Sequence, residues 1–139
     1  MILSQTAEYA LRAMAYLAEQ GQASPIPPMA AATRTPPDYL AKVMQCLAQA
    51  DLVVGKRGRT GGYALARPAI DTTVLEIINA VDPIRRIYSC PLSLPHHATK
   101  LCPLHRRLDA AAAHLEQAFG TTTLADIISE PIFIEGPDK

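Results

Sequence analysis

Tryptophan is missing from this chain of 139 residues, and phenylalanine occurs only twice. A core of stacked aromatics is thereby excluded. With 49% of residues hydrophobic, the interior has to be built from Ala, Leu, Ile, Val and Met, a mixture that favours helices. Net charge is missing too, 13 basic residues standing against 13 acidic ones. A uniformly basic surface is therefore excluded. No stretch approaches the roughly 20 apolar residues of a membrane span. The first 20 residues lack the basic start and apolar block of a signal peptide. The expectation is a cytoplasmic protein with no membrane partner. Only three cysteines occur, Cys46, Cys90 and Cys102, an odd number that in a cytosolic chain suits thiols or ligands better than structural disulfides. Nothing resembles a nucleophile with its base, a glycine-rich phosphate cradle opening a βαβ unit, or a pair of catalytic carboxylates. An enzyme would have only the cysteine- and histidine-containing loop to recommend it.

What the chain does have is charge polarity. Residues 34–67 hold six basic side chains (Arg34, Lys42, Lys56, Arg57, Arg59, Arg67) against Asp38 and Asp51, whereas from residue 68 onward six basic residues face nine acidic ones. The basic stretch also has a readable form. Thr35 is a candidate N-cap for a helix whose first turn tolerates Pro36 and Pro37. Leu40, Val43, Met44 and Leu47 then recur at helical spacing, leaving Tyr39, Lys42 and Gln45 on the other flank. After Asp51 the period shortens. Leu52, Val53 and Val54, and later Tyr63 to Ala66, read as two short strands around Gly55-Lys56-Arg57-Gly58-Arg59-Thr60-Gly61-Gly62. Four glycines permit a tight, partly left-handed loop, and three cations held together at its tip call for a polyanion. A helix followed by a basic hairpin is the outline of a winged helix-turn-helix.

Along the rest of the chain, Ser4 caps a first helix over residues 4–20 with Leu3, Ala7, Ala10, Leu11, Met14, Leu17 and Ala18 on its buried stripe, and Glu8 and Arg12 one turn apart. Residues 28–33 make a short second helix. A helix through Val74, Ile77, Ile78 and Val81 starts at Asp71 or Thr73 and ends at Asp82-Pro83. Residues 84–101 show no period and read as a loop, the expected regulatory element. Cys102-Pro103 opens a longer helix with Leu104, Leu108, Ala111, Ala112, Leu115 and Phe119 on one face, stopped by Gly120. On so small a chain that face is best buried against its own copy, giving a homodimer that presents two recognition helices to a palindromic site. A last short helix falls within residues 121–128. The reading is mostly α: a winged helix-turn-helix DNA-binding domain over 1–82 with a two-stranded wing, a sensor loop over 83–103, a C-terminal dimerisation helix with a short final helix over 104–130, and a tail over 131–139.

The stretches MILSQTAEYALRAMAYLA and YLAKVMQCLAQADLVVGKRGRTGGYALAR, then the cysteine loop with CPLHRRLD and TTLADI, resemble the Rrf2-type bacterial transcription regulators, the group that contains IscR, NsrR and RirA. The resemblance covers about the first 130 positions. It implies a dimeric winged-helix repressor or activator, often with an iron–sulfur cluster ahead of the dimerisation helix that reports on iron, oxygen or nitric oxide. Cluster-binding members carry three cysteines there and this chain has two. Cys90 matches the first, Cys102 the last, and His96 takes the middle position. His105 matches the histidine that completes the site in the IscR branch, and Glu8 stands where the NsrR branch recruits an acidic ligand.

Cys90, His96, Cys102 and His105 thus form a Cys-x5-His-x5-Cys-x2-His set, suited to a [2Fe–2S] cluster with mixed ligation or to tetrahedral zinc. His97 and Glu8 are alternative donors. A thiol–disulfide switch, haem, or a loop that has lost its site are the other readings. For double-stranded DNA, Tyr39 and Lys42 are expected in the major groove, Lys56 and Arg57 on phosphates, and Arg59 in the minor groove. Gly61 serves the wing's backbone conformation, and Ser4 with Gln5 offers backbone N–H groups to a phosphate. Cys46 reads as a partly buried small residue of the recognition helix.

Overall fold

Helix α1 (Gln5–Gln20) is the hub of the computed structural model, which describes residues 2–59, 61–95 and 100–133. Ser4 caps it in extended geometry, its hydroxyl accepting the Ala7 N–H at 3.2 Å, and Gly21 ends it in the left-handed region at φ +66°. The apolar stripe is wider than its spacing predicts. Tyr9, Ala13, Ala15 and Tyr16 are buried along with Ala7, Ala10, Met14 and Leu17, because helices lie against α1 on several sides.

Helix α2 (Ile26–Thr33) begins two residues before the expected start, with prolines in its first turn where no N–H is needed. Arg34 then turns left-handed at φ +52° and the chain enters α3 (Pro37–Gln49). Thr35 does not cap α3: Pro36 holds the N-cap position and no side chain bonds there. The hydroxyl of Thr35 instead turns inward to that of Thr33, 3.0 Å away, and both residues are buried in the turn between the helices. Leu40, Val43, Met44 and Leu47 are buried as their spacing requires.

Strands β1 (Val53–Lys56) and β2 (Gly62–Leu65) form an antiparallel ladder with Val53 opposite Leu65 and Lys56 opposite Gly62. Ser24 adds a third rung, donating to and accepting from the Tyr63 backbone at 2.9 and 2.8 Å. Helix α4 (Val74–Val81) is closed by a Thr73–Glu76 capping box, and α6 (Leu124–Ile127) by a Thr123–Asp126 box. The two capping threonines pair as an isolated bridge, so α6 docks beside the start of α4. Between them runs α5 (Pro103–Gly120), with Cys102 at the N-cap position, no side chain bonding there, and proline in the first turn. Gly120 is its last helical residue rather than its stop, placed where a side chain would begin 3.4 Å from Leu75, and Thr121 ends the helix.

Two apolar clusters hold these elements. The larger joins α1, α2, α3, β1, α4 and α6 around Met14, Leu17, Met29, Leu40, Met44, Leu47, Ile77 and Leu124. The smaller gathers Leu3, Ala7, Leu11, Val74, Ile78 and Phe119, joining α1, α4 and the end of α5. The segment after α6, left unassigned by sequence, lies against α1: Glu19 accepts the N–H groups of Ile132 and Phe133, and Phe133 meets Tyr16 edge-on at 6.1 Å.

Candidate nucleic-acid interface and cysteine loop

The flank of α3 that the core leaves uncovered carries Asp38, Tyr39, Lys42, Gln45 and Cys46, all exposed. Cys46 is therefore not the partly buried filler expected, since it falls on the same flank as Lys42 rather than at the edge of the Leu40–Leu47 stripe. Tyr39 is held from α1. Its hydroxyl is hydrogen-bonded to that of Thr6, and its ring meets Tyr9 edge-on at 5.4 Å. Gln5 donates to the Tyr9 hydroxyl at 2.8 Å. Arg12 does more than pair with Glu8 at 3.2 Å: it also donates to the Thr33 carbonyl and lies over the Tyr9 ring. Together these contacts fix the start of α1 against the start of α3.

Lys56, Arg57 and Arg59 are exposed on the wing, whose Thr60 lies outside the described residues. The glycines explain its shape. Gly58 and Gly62 have φ of +100° and +113°, and a side chain on Gly61 would stand 2.7 Å from the carbonyls of Lys56 and Gly58. Gly62 lies so close to Ser24 and Pro25 that a methyl group there would overlap their backbone.

In the loop, Cys90 is buried and Cys102 half-buried at the start of α5. The Cys102 sulfur is 3.2 Å from Nδ1 of His105, so the structure brings these two of the four expected ligands together. His96 and His97 lie outside the described residues, and among the described residues no three His, Cys, Asp or Glu side chains gather as a metal site. Those residues supply a thiol–imidazole edge and not a full ligand set.

Sequence reasoning missed what pins this loop. Arg86 grips Asp109 with two hydrogen bonds of 2.7 and 2.9 Å, reaches Glu116 at 3.0 Å, and leaves Asp109 to accept the Ile87 N–H at 2.8 Å. Arg86, and secondarily the Ile87 N–H, hold the Asp109 carboxyl down at about 2. Asp109 and Glu116 are two turns apart on α5, a spacing that marks one face, but nothing in the sequence names the arginine that meets it.

A helix-turn-helix with a basic two-stranded wing defines a winged-helix DNA-binding protein. Residues 3–130 match the Rrf2 family, described as iron-dependent transcriptional regulators. A provisionally named HTH-type transcriptional regulator of Aquifex aeolicus is 30% identical over 93% of this chain and 92% of its own. Another, from Mycobacterium tuberculosis, is 34% identical over 91% and 81%. Among solved structures, CymR, the global cysteine regulator of B. subtilis, shares the fold at a TM-score of 0.76 and 23% identity, covering 93% of this chain and 97% of that one. T. potens IscR does so at 0.75 and 23%, covering 92% and 86%. The chain belongs to the Rrf2 family and is a DNA-binding transcriptional regulator, not an enzyme. No helix among the described residues is long and apolar enough to cross a membrane.

Proposed function

We propose that the protein binds a palindromic operator in double-stranded DNA as a homodimer, and that the loop between α4 and α5 senses redox state, iron or nitric oxide. The observation that carries the first part is the juxtaposition of an uncovered α3 flank with an exposed basic wing. Tyr39 and Lys42 read the major groove, Lys56 and Arg57 meet phosphates, Arg59 enters the minor groove, and Gly61 keeps the wing's shape. Ser4 and Gln5 set the start of α1 against a phosphate.

For the sensor, the first reading is an iron–sulfur cluster, of [2Fe–2S] type, held by Cys90, His96, Cys102 and His105. Support comes from the Cys102–His105 pair and from the family's description as iron-dependent. The described residues fit only part of such a site, and the remaining donors have to come from His96 or a second copy. When bound, a cluster supplies a centre that oxidants and nitric oxide alter. The chain's own contribution is positional: Cys102 and His105 sit on the first turn of α5, and Arg86 fastens the loop's entry to the same helix. Zinc on the same donors is the second reading, favoured by the two-sulfur, two-imidazole composition.

The test is iron, zinc and acid-labile sulfide analysis with an absorption spectrum on protein purified without oxygen, beside Cys102→Ala. Iron and sulfide that vanish in the variant are expected. Zinc, or no metal, overturns the cluster reading and leaves operator binding to be judged by itself.

A further inference from the structure

A left-handed residue at a helix end is ordinarily glycine, and the chain obeys this at Gly21, where α1 stops at φ +66°. Helix α2 ends in the same way with a different residue. The Thr35 N–H bonds back to the Ala30 carbonyl at 3.0 Å and the Arg34 N–H to that of Ala31 at 3.4 Å, a closure that requires one left-handed residue. That residue is Arg34, at φ +52°. Among the described residues only Asp51 and Ser93 share its sign of φ without being glycine. Asp51 is of the short polar kind that tolerates the region by bonding locally, which an arginine does not do. The turn of a helix-turn-helix often carries glycine, so Arg34 stands there at a cost in backbone energy.

The backbone has no need of an arginine at this position, and what it adds is a side chain. Thr33 and Thr35 on either side are buried, whereas Arg34 between them is exposed. Arg12, Arg67 and Arg86 all commit their guanidinium groups to carboxylates. The guanidinium of Arg34 makes no hydrogen bond or ion pair among the described residues, a condition it shares with Lys42 and Lys56. The turn is also held at the right end of the molecule. Arg12 of α1 donates to the carbonyl of Thr33, the residue before Arg34, and the first turn of α3 follows with Tyr39 bound to Thr6. Arg34 therefore stands beside the end of α3 that carries Tyr39, just outside the helix.

We infer that Arg34 contacts a backbone phosphate of DNA at the border of the groove that α3 enters. A residue outside the groove-filling helix meets the border of the groove, and a guanidinium fits a phosphate with two parallel hydrogen bonds. Such a contact fixes position and orientation without reading sequence. The inference rests on the DNA-binding reading above and adds a contact from the turn to those of α3 and the wing.

The test measures the full chain's affinity, by fluorescence anisotropy at several salt concentrations, for a duplex that the unaltered chain has selected from random sequence. Urea denaturation of the same variants runs alongside. Arg34→Gly relieves the backbone and should unfold at a urea concentration no lower than the unaltered chain. It should nevertheless bind roughly tenfold more weakly, with the slope of log affinity against log salt shallower by about one. Arg34→Asn, which also tolerates the left-handed region, should do the same. Arg34→Lys keeps both the charge and the backbone cost, and should keep the slope. Unchanged affinity and slope in Arg34→Gly overturn the inference and leave α3 and the wing as the DNA-binding surface. Weaker binding with an unchanged slope, or a loss of preference at one base pair alone, overturns the phosphate contact as well. An unaltered chain that selects no duplex, or binds one without salt dependence, overturns this inference and the DNA-binding reading together.

Discussion

Replacing Gly62 with alanine should detach the wing from the body of the protein. Two costs add at this position. At φ +113° an alanine is held in a sparsely populated backbone region, worth about 1–3 kcal/mol. Its methyl group would also overlap the backbone of Ser24 and Pro25, so the Ser24–Tyr63 pair of hydrogen bonds, at 2.9 and 2.8 Å, has to open. Losing two such bonds costs on the order of 2 kcal/mol. The total is about 3–5 kcal/mol, a large part of the 5–15 kcal/mol typical of a domain. The structure supplies its own control. Gly58 has nearly the same φ, +100°, but nothing within 4 Å of where a side chain would begin. Gly58→Ala should therefore show the backbone cost alone. Gly55 has neither constraint, and Gly55→Ala should be close to neutral. Urea denaturation of the three variants gives the comparison, with operator affinity measured alongside by fluorescence anisotropy. The expected order of loss is Gly62, then Gly58, then Gly55. Equal losses at Gly62 and Gly58 would refute the close approach, and an undiminished Gly62→Ala would refute the whole account of the wing.

Three further outcomes concern the wing and the loop. Arg59→Ala should weaken operator binding by about 1–3 kcal/mol, and Lys56→Ala should lower the slope of log affinity against log salt by about one; an Arg59→Ala affinity unchanged at physiological salt would remove the wing from the interface. The Arg86–Asp109 clamp should survive mild acid. Because the Asp109 carboxyl is held at about 2 instead of its ordinary value of 3.8, the clamp's contribution is full above 3.8 and is lost as pH falls toward 2; the pH-dependent shift of the Ile87 amide in NMR reports it, and a midpoint near 3.8 would mean that Arg86 is not bound.

The sequence reveals most of what a helical period and a cap can encode. Ser4 starts α1, Thr73 starts α4, and Cys102-Pro103 starts α5, because each combines a local capping signal with an apolar stripe behind it. Thr35 misled for an instructive reason. The local rule for a cap competes with burial, and here its hydroxyl is used inside the helix–helix turn with Thr33. Cys46 misled because a short side chain fits an apolar edge and an exposed flank equally well in a helical projection. What could not be read at all were contacts across long sequence distance: Ser24 completing the wing's sheet, Phe133 returning to Tyr16, and Arg86 finding Asp109 and Glu116. None of these leaves a periodic trace in the chain.

Those long-range contacts are also what join the loop to the DNA-facing surface. Arg86 ties the loop to the middle of α5, and Phe119 at the end of α5 packs into a cluster with Ala7 of α1 and with Leu3 just ahead of that helix. The first turn of α1 in turn holds Tyr39 of α3 through Thr6. The series is contiguous from the loop to the recognition helix. Contiguity alone does not make a switch, because a ligand shifts an equilibrium only by the difference in its affinity for the two states. Asp109→Asn separates the two ideas, since it loosens the loop without touching any residue of the DNA-facing surface. If the series carries the signal, the variant binds operator with an affinity that no longer depends on the state of the loop's thiols or metal. If it binds and responds as the unaltered protein does, the signal takes another route than this series of contacts.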